Sequence, residues 1–226
     1  MFIEQYKDDS RQGVANLVKR AAKKIDDYNK EIERTYKLSE FERKYSDYKF
    51  ICGIDEVGRG PLAGAVILPK DCDILYINDS KKLSAKKREE LYEVIMEKAV
   101  CAKTAVVSPK VIDEINILQA TYEAMRQAIS MLEPQPTLLL NDAVNIPGVP
   151  MKQVSIIKGD AKSISIGAAS IIAKVTRDAM MVEYDKIYPE YDFASNKGYG
   201  SAKHIEALKK YGPCPIHRKS FIHNFI

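Results

Sequence analysis

The chain has 226 residues, 46% hydrophobic and 29% charged, with 35 Lys and Arg against 31 Asp and Glu. That length suits one main domain with an extension, and the composition is ordinary for a soluble globular protein. The formal net charge of +4 permits a nucleic-acid partner without requiring one. Cys52, Cys72, Cys101 and Cys214 are scattered and form no Cys-x-x-Cys pair. Their spacing argues against a zinc site or a disulfide framework and fits free thiols in a reducing compartment. There is no apolar leader and no stretch of transmembrane length, so the expected location is cytoplasmic, with no membrane partner.

Residues 1–46 read as a helical N-terminal extension. Val14, Val18, Ala21, Ile25, Tyr28 and Ile32 recur at spacings of four and three and make one apolar stripe. The segment carries 11 Lys and Arg against 9 Asp and Glu, with Lys19, Arg20, Lys23 and Lys24 clustered. Two readings stay open: an arm packed on the main domain, or an additional substrate-binding module.

Residues 47–226 read as the main domain. Phe50–Ile54 is expected as a short buried strand that delivers Asp55 and Glu56 into the turn Gly58-Arg59-Gly60. A second strand is expected at Ala65–Leu68, then a loop over Asn78–Ser84, with Ser84 capping a helix that runs to about Val100. Cys101–Val107 reads as a strand. Ser108-Pro109 starts a helix ending near Leu132, with Ser at N-cap and Pro at N1. Thr137–Leu140 is a buried strand ending on Asn141-Asp142, and Gln153–Ile157 is the next. A helix of small and apolar residues follows from about Ile164 to Tyr184, carrying Asp178. The stretch with Asn196-Lys197-Gly198-Tyr199-Gly200 is irregular, a last helix spans Ala202–Tyr211, and the tail holds His217-Arg218-Lys219-Ser220-Phe221. A strand meander followed by strand–helix units predicts an α/β or α+β domain. In open sheets of this kind, sites gather at the carboxyl ends of strands, where Asp55-Glu56 and Asp142 both fall.

Two phosphate-binding motifs are approached and rejected. Gly58-x-Gly60-x-x-Ala63 fits a relaxed dinucleotide fingerprint, but a strand follows it instead of a helix. Lys158-Gly159-Asp160-Ala161-Lys162-Ser163 lacks the glycines of a phosphate-binding loop. Adjacent carboxylates, by contrast, repel one another, and a hard divalent cation is the simplest compensation. On a regular strand Asp55 and Glu56 point to opposite faces, so a shared site predicts that the strand ends or bulges there.

Four segments occur in one order: Asp55-Glu56-Val57-Gly58-Arg59-Gly60, Asp79-Ser80-Lys81-Lys82-Leu83-Ser84, the stretch ending Lys174-Val175-Thr176-Arg177-Asp178, and Lys197-Gly198-Tyr199-Gly200. Together they resemble type 2 ribonuclease H (RNase HII) over residues 48–226. The resemblance implies a ribonuclease H-like mixed sheet flanked by helices and four metal-binding carboxylates: Asp55, Glu56, Asp142 and Asp178. Asp160 is the alternative to Asp142, since the family often has Gly after that Asp where this chain has Ala143. The resemblance further implies that Gly58, Arg59 and Gly60 recognise the 2′-OH at an RNA–DNA junction, and that Tyr199 packs on the neighbouring sugar.

The residues' own chemistry agrees. Mg²⁺ or Mn²⁺ takes oxygen ligands, and two such ions about 3.5–4 Å apart serve an in-line displacement at phosphorus. A glycine turn brings backbone polar groups close to a 2′-OH, the group that separates RNA from DNA locally. Lys81, Lys82, Lys158, Lys197, Lys203, Arg218 and Lys219 are expected phosphate contacts, whereas His204, His217 and His223 read as structural or surface residues. The expected activity is that of a monomeric, metal-dependent endonuclease. It would cut the RNA strand of RNA–DNA hybrids, and the 5′ side of ribonucleotides in duplex DNA, leaving 3′-OH and 5′-phosphate ends. The alternatives are a type 3 ribonuclease H, which typically lacks Arg in the glycine turn, and a non-catalytic nucleic-acid-binding protein.

Overall fold

The computed structural model of the chain describes residues 2–58 and 62–225. Three helices come first, α1 (Phe2–Tyr6), α2 (Gln12–Leu38) and α3 (Glu40–Lys44). The main domain follows as β1 (Ile51–Val57), β2 (Leu62–Ile67), α4 (Ala85–Lys98), β3 (Cys101–Val106), α5 (Pro109–Ser130), β4 (Leu138–Asp142), β5 (Lys152–Ile156) and α6 (Ile164–Ile187). Short helices α7 (Phe193–Asn196), α8 (Ala202–Tyr211) and α9 (Lys219–Ile222) close the chain.

The five strands form one mixed sheet in the order β3-β2-β1-β4-β5. The β1–β2 and β2–β3 pairs are antiparallel, and the β1–β4 and β4–β5 pairs are parallel. Both faces are covered, which explains why β1, β2 and β4 read as continuous apolar runs. On one face Cys52, Ile54, Ala65, Ile67 and Leu139 pack against Ala120, Ala124 and Met125 of α5. On the other, Val66 packs with Leu91 and Ile95 of α4 and Ala168, Ala169 and Ile172 of α6. Two glycines let α6 lie directly on the sheet. A Cβ on Gly53 would sit 2.1 Å from the Ser165 carbonyl carbon, and one on Gly64 would sit 2.5 Å from the Ala169 oxygen.

Several boundaries differ from expectation. On its β2 side β1 neither ends nor bulges at its acids, the ladder continuing through Asp55↔Gly64 and Glu56↔Ala63 to Val57↔Leu62, whereas on its β4 side pairing stops at Ile54↔Asn141, which leaves both acids beside an open edge. β2 accordingly begins at Leu62, three residues before the expected start. The expected helix after Ser108 is broken at Asn116 (φ 67°, ψ 165°). Its side-chain oxygen accepts the N–H groups of Leu118 and Gln119 and restarts the helix as a local N-cap.

The N-terminal stripe is helical but uncovered along most of α2, with Ile25 and Tyr28 each about half exposed. The arm docks at its C-terminal end. Arg34 donates to the Ile77 carbonyl at 2.7 Å, Glu31 accepts the Tyr76 N–H at 2.6 Å, and Thr35 and Leu38 are buried. From α3, Glu42 accepts the Ser163 hydroxyl at 2.5 Å and the Ser165 N–H at 3.0 Å, so the extension caps the N-terminus of α6.

Candidate active site

The site begins where the sheet divides. The parallel ladder between β1 and β4 ends at Ile54↔Asn141. One residue on, Asp55 pairs with Gly64 of β2 and Asp142 with Ile156 of β5, on opposite sides of the gap. Chain direction thus diverges at the carboxyl ends of two adjacent strands, the place where open α/β sheets form a crevice. Strand alternation puts both acids on the face covered by α6, because Gly53 lies under Ser165 and Leu140 packs with Ile166.

Local backbone fixes each carboxylate. Asp142 Oδ1 accepts the Gly159 N–H at 2.7 Å. Lys158 just before it adopts a left-handed conformation (φ 58°), and a Cβ on Gly159 would meet Ile166 at 2.6 Å. That turn carries Asp160, which is buried. Asp55 is 6% exposed, and its Oδ1 accepts the Glu56 N–H at 2.9 Å.

The electrostatics tie these acids into one field. Burial pushes the Asp55 carboxyl well above the usual carboxylate range; repulsion from Glu56 and Asp142 adds to it, and the Ser170 hydroxyl partly offsets it. Burial raises Glu56 as well, followed by Asp142, with Lys81 opposing and Asp160 adding. Asp160 is raised by burial, then by Asp79 and Asp142. A cluster of oxygen donors whose negative charge is poorly compensated fits a hard divalent cation. Among the described residues, no three His, Cys, Asp or Glu side chains form a group arranged to hold one ion.

Asp178 is engaged differently. Its Oδ1 lies 2.7 Å from Lys174 Nζ, one helical turn back on α6, and its Oδ2 lies 3.8 Å from Arg88 Nη2. It lines a recess of about 40 Å³ at the end of β1 with Gly58, Arg177, Tyr199 and Arg218. Burial and the neighbouring Arg218 lower the Arg177 guanidinium, and both arginines have a buried Nη1 with no hydrogen-bond partner among the described residues. Two close cations with unused donors suit a phosphate.

The structure therefore brings Asp55, Glu56, Asp142 and Asp160 together, with Lys81 among them, and sets Asp178 in the adjoining basic recess. Gly58 is in a left-handed conformation (φ 71°) at the mouth of that recess. Arg59 and Gly60 lie outside the described residues. Tyr199 is 58% exposed, with Lys174 Nζ 5.9 Å from its ring centroid. Sequence reasoning missed Arg88 and Ser170, and it quoted Lys174 and Arg177 only as part of the segment ending at Asp178, without giving either a role. The Lys174–Asp178 spacing of four signals their contact, since such residues adjoin on a helix.

Comparison with known proteins gives a consistent picture. The family model of Ribonuclease HII matches residues 52–224, and that of the Ribonuclease HII N-terminal domain matches residues 1–46. The chain is similar to the Ribonuclease HII of Lachnoclostridium phytofermentans, at 63% identity over 98% of this chain and 89% of that one. It is similar to the Ribonuclease HII of Bacillus subtilis at 49% identity, over 97% of this chain and 89% of that one. Among solved structures, the ribonuclease H2 from Pyrococcus horikoshii OT3 is 27% identical with a TM-score of 0.63, covering 76% of this chain and 93% of that one.

Proposed function

This chain belongs to the ribonuclease HII family, a type 2 ribonuclease H endonuclease, and on that premise we propose that it cuts in two settings, with Mg²⁺ or Mn²⁺ as cofactor. One is the RNA strand of RNA–DNA hybrids; the other is the 5′ side of ribonucleotides embedded in duplex DNA, leaving 3′-OH and 5′-phosphate ends. Family membership decides against the type 3 and non-catalytic alternatives. The observation that carries the finer reading is the placement of Asp55 and Asp142 at one level of the divided sheet.

Asp55, Glu56, Asp142 and Asp178 would hold the cation by converging on it, since no three of them form a ready-made group among the described residues, with Asp160 beside them. Bound divalent ions supply charge neutralisation at the scissile phosphate and at the departing 3′-oxygen. The protein's part is to bind and orient. Lys81, which pulls against the raised Glu56 and Asp160, is placed to steady a substrate phosphate as well. Lys174 can exchange Asp178 for a phosphate oxygen. Arg177, Arg218, Lys158 and Lys197 would set the register of the backbone without reading sequence. Gly58 opens the turn that, with Arg59 and Gly60, would contact the 2′-OH. The exposed Tyr199 ring would pack on the next sugar, favouring deoxyribose there.

In this reading residues 47–226 form the catalytic unit and residues 1–46 an accessory module that adds affinity. The enzyme works as a monomer in the cytoplasm, in DNA replication and repair. No helix among the described residues is long and apolar enough to cross a membrane. The test is cleavage of a uniform RNA–DNA hybrid beside an all-DNA duplex of the same sequence, with and without Mn²⁺. Hybrid cutting that needs the ion, with the DNA duplex intact, supports the reading; ion-independent cutting contradicts it.

A further inference from the structure

The C-terminal segment holds a relay of hydrogen bonds that ends on the backbone of Tyr199. His204, on α8, places Nδ1 2.9 Å from the Tyr199 carbonyl oxygen and Nε2 2.9 Å from Nε2 of His217. His217 Nδ1 faces the backbone N–H and the thiol of Cys214, each at 3.0 Å. One proton arrangement satisfies every contact. A carbonyl oxygen only accepts, so His204 carries its proton on Nδ1. Its Nε2 is then a lone pair, which His217 meets by donating from its own Nε2. His217 Nδ1 is left as the acceptor for Cys214. The relay runs one way, from Cys214 through His217 and His204 to Tyr199.

The relay is rigidly housed. The ring of Tyr191 lies 4.9 Å from that of His217, and the ring of Phe193 5.4 Å from that of His204. Tyr191 donates its hydroxyl to the Gly212 carbonyl at 2.8 Å, which ties in the chain after α8. Tyr199 is less enclosed, 58% exposed as a residue, with Lys174 Nζ 5.9 Å from its ring centroid. Lys197 and Gly198, just before it, both adopt left-handed conformations (φ 52° and 79°). The backbone therefore sets where the Cα–Cβ bond of Tyr199 points, and with it the base from which the ring projects. The Tyr199 backbone N–H donates to the Asn196 carbonyl at 2.9 Å, and the Tyr199 carbonyl accepts the Ser201 N–H at 2.8 Å together with His204.

We propose that the His204–His217 pair positions Tyr199, so that the C-terminal segment sets how strongly the enzyme favours a ribonucleotide–DNA junction over a continuous hybrid. The inference rests on the reading of Tyr199 as the platform for the sugar. Neither histidine touches substrate; they act through the Tyr199 carbonyl. A ring displaced by a fraction of an ångström would lose its packing on deoxyribose, while Asp55, Glu56 and Asp142 at the divided sheet would keep their places.

The test compares kcat/KM on a duplex with one ribonucleotide and on a uniform hybrid, for the wild type and a set of variants. His204→Leu should lower the junction-to-hybrid ratio about tenfold and change the hybrid value less than about twofold. His204→Asn, which keeps an N–H near Nδ1, and His217→Gln, which keeps one near Nε2, should retain most of the ratio. Tyr199→Ala with His204→Leu should be no worse than Tyr199→Ala alone, because the two act in series. A ratio lowered by Tyr199→Ala but unmoved by His204→Leu overturns the positioning role and leaves the reading of Tyr199 standing. A ratio unmoved by Tyr199→Ala overturns both. Should His204→Leu fail to fold, ring ¹⁵N chemical shifts of the wild type at neutral pH decide. Protonated Nδ1 on His204 and protonated Nε2 on His217 are expected, and the opposite tautomers would overturn the relay.

Discussion

Asp55 and Asp142 stand level with one another on neighbouring parallel strands, each one residue past the last shared rung, Ile54↔Asn141. From that rung onward each strand keeps its other partner, so the two carboxylates flank a gap with paired backbone on either side. Their spacing is thus set by the sheet rather than by a flexible loop. A site built on strands holds its geometry better than one built on loops.

Asp142 and Asp160 share one field, and amide substitutions separate their roles. Asp142→Asn should lower kcat about a hundredfold or more, with substrate affinity largely kept. Asp160→Asn should cost less than about tenfold, because its carboxylate leans on Asp142 from a neighbouring turn. Mn²⁺ should raise the melting temperature of the wild type by a few degrees and that of Asp142→Asn by less. Equal losses in the two variants would give Asp160 an equal share in the site.

Ala143, directly after Asp142, has a φ of 53°. A side chain is strained there and glycine is not. Ala143→Gly should therefore stabilise the fold by about 0.5–1 kcal/mol, a shift of roughly 1–4 °C in thermal melting. Activity should be unchanged.

How much of this was legible differs element by element. The strands carrying Asp55 and Asp142 were readable because strands buried on both faces leave uninterrupted apolar runs. Their divergence was not, since no local pattern records which neighbour stops pairing first. The break at Asn116 turns on one side-chain cap inside an otherwise helical pattern. The stripe on α2 was visible as a period, but periodicity identifies an apolar face without saying what covers it. The approach of Asp142 to Asp160 depends on Gly159 fitting beneath Ile166, a contact with no trace in spacing.

The arm is tested by a truncation that respects its anchor. Deleting residues 1–30 removes the Lys19–Lys24 cluster and most of the stripe but leaves Arg34 and Glu42 in place. KM for duplex substrate should rise several-fold, with kcat within about twofold. A collapse of kcat at constant KM would assign the arm to the fold of the site instead.

Burial and the facing His204 push His217 down to about 4, while the Cys214 N–H is held at its Nδ1. The titratable groups around it are His204 on α8, Tyr191 and Cys214. Between pH 6.5 and about 4 the unfolded chain binds a proton that the folded chain refuses, so stability falls as pH falls through that window. With His217 half-buried, the loss should be about 2 kcal/mol after screening by solvent. Urea midpoints at pH 7 and pH 4.5 should show it for the wild type, and His217→Gln should lose less.

The most direct measurement maps the cut in an end-labelled DNA duplex containing one ribonucleotide, with Mg²⁺ present. A single break on the 5′ side of the ribonucleotide, leaving a 3′-OH and a 5′-phosphate, is the predicted result, and Asp55→Asn should abolish it. A duplex left intact while a uniform hybrid is cut efficiently, or a break on the 3′ side, would contradict junction recognition by the Gly58 turn and Tyr199.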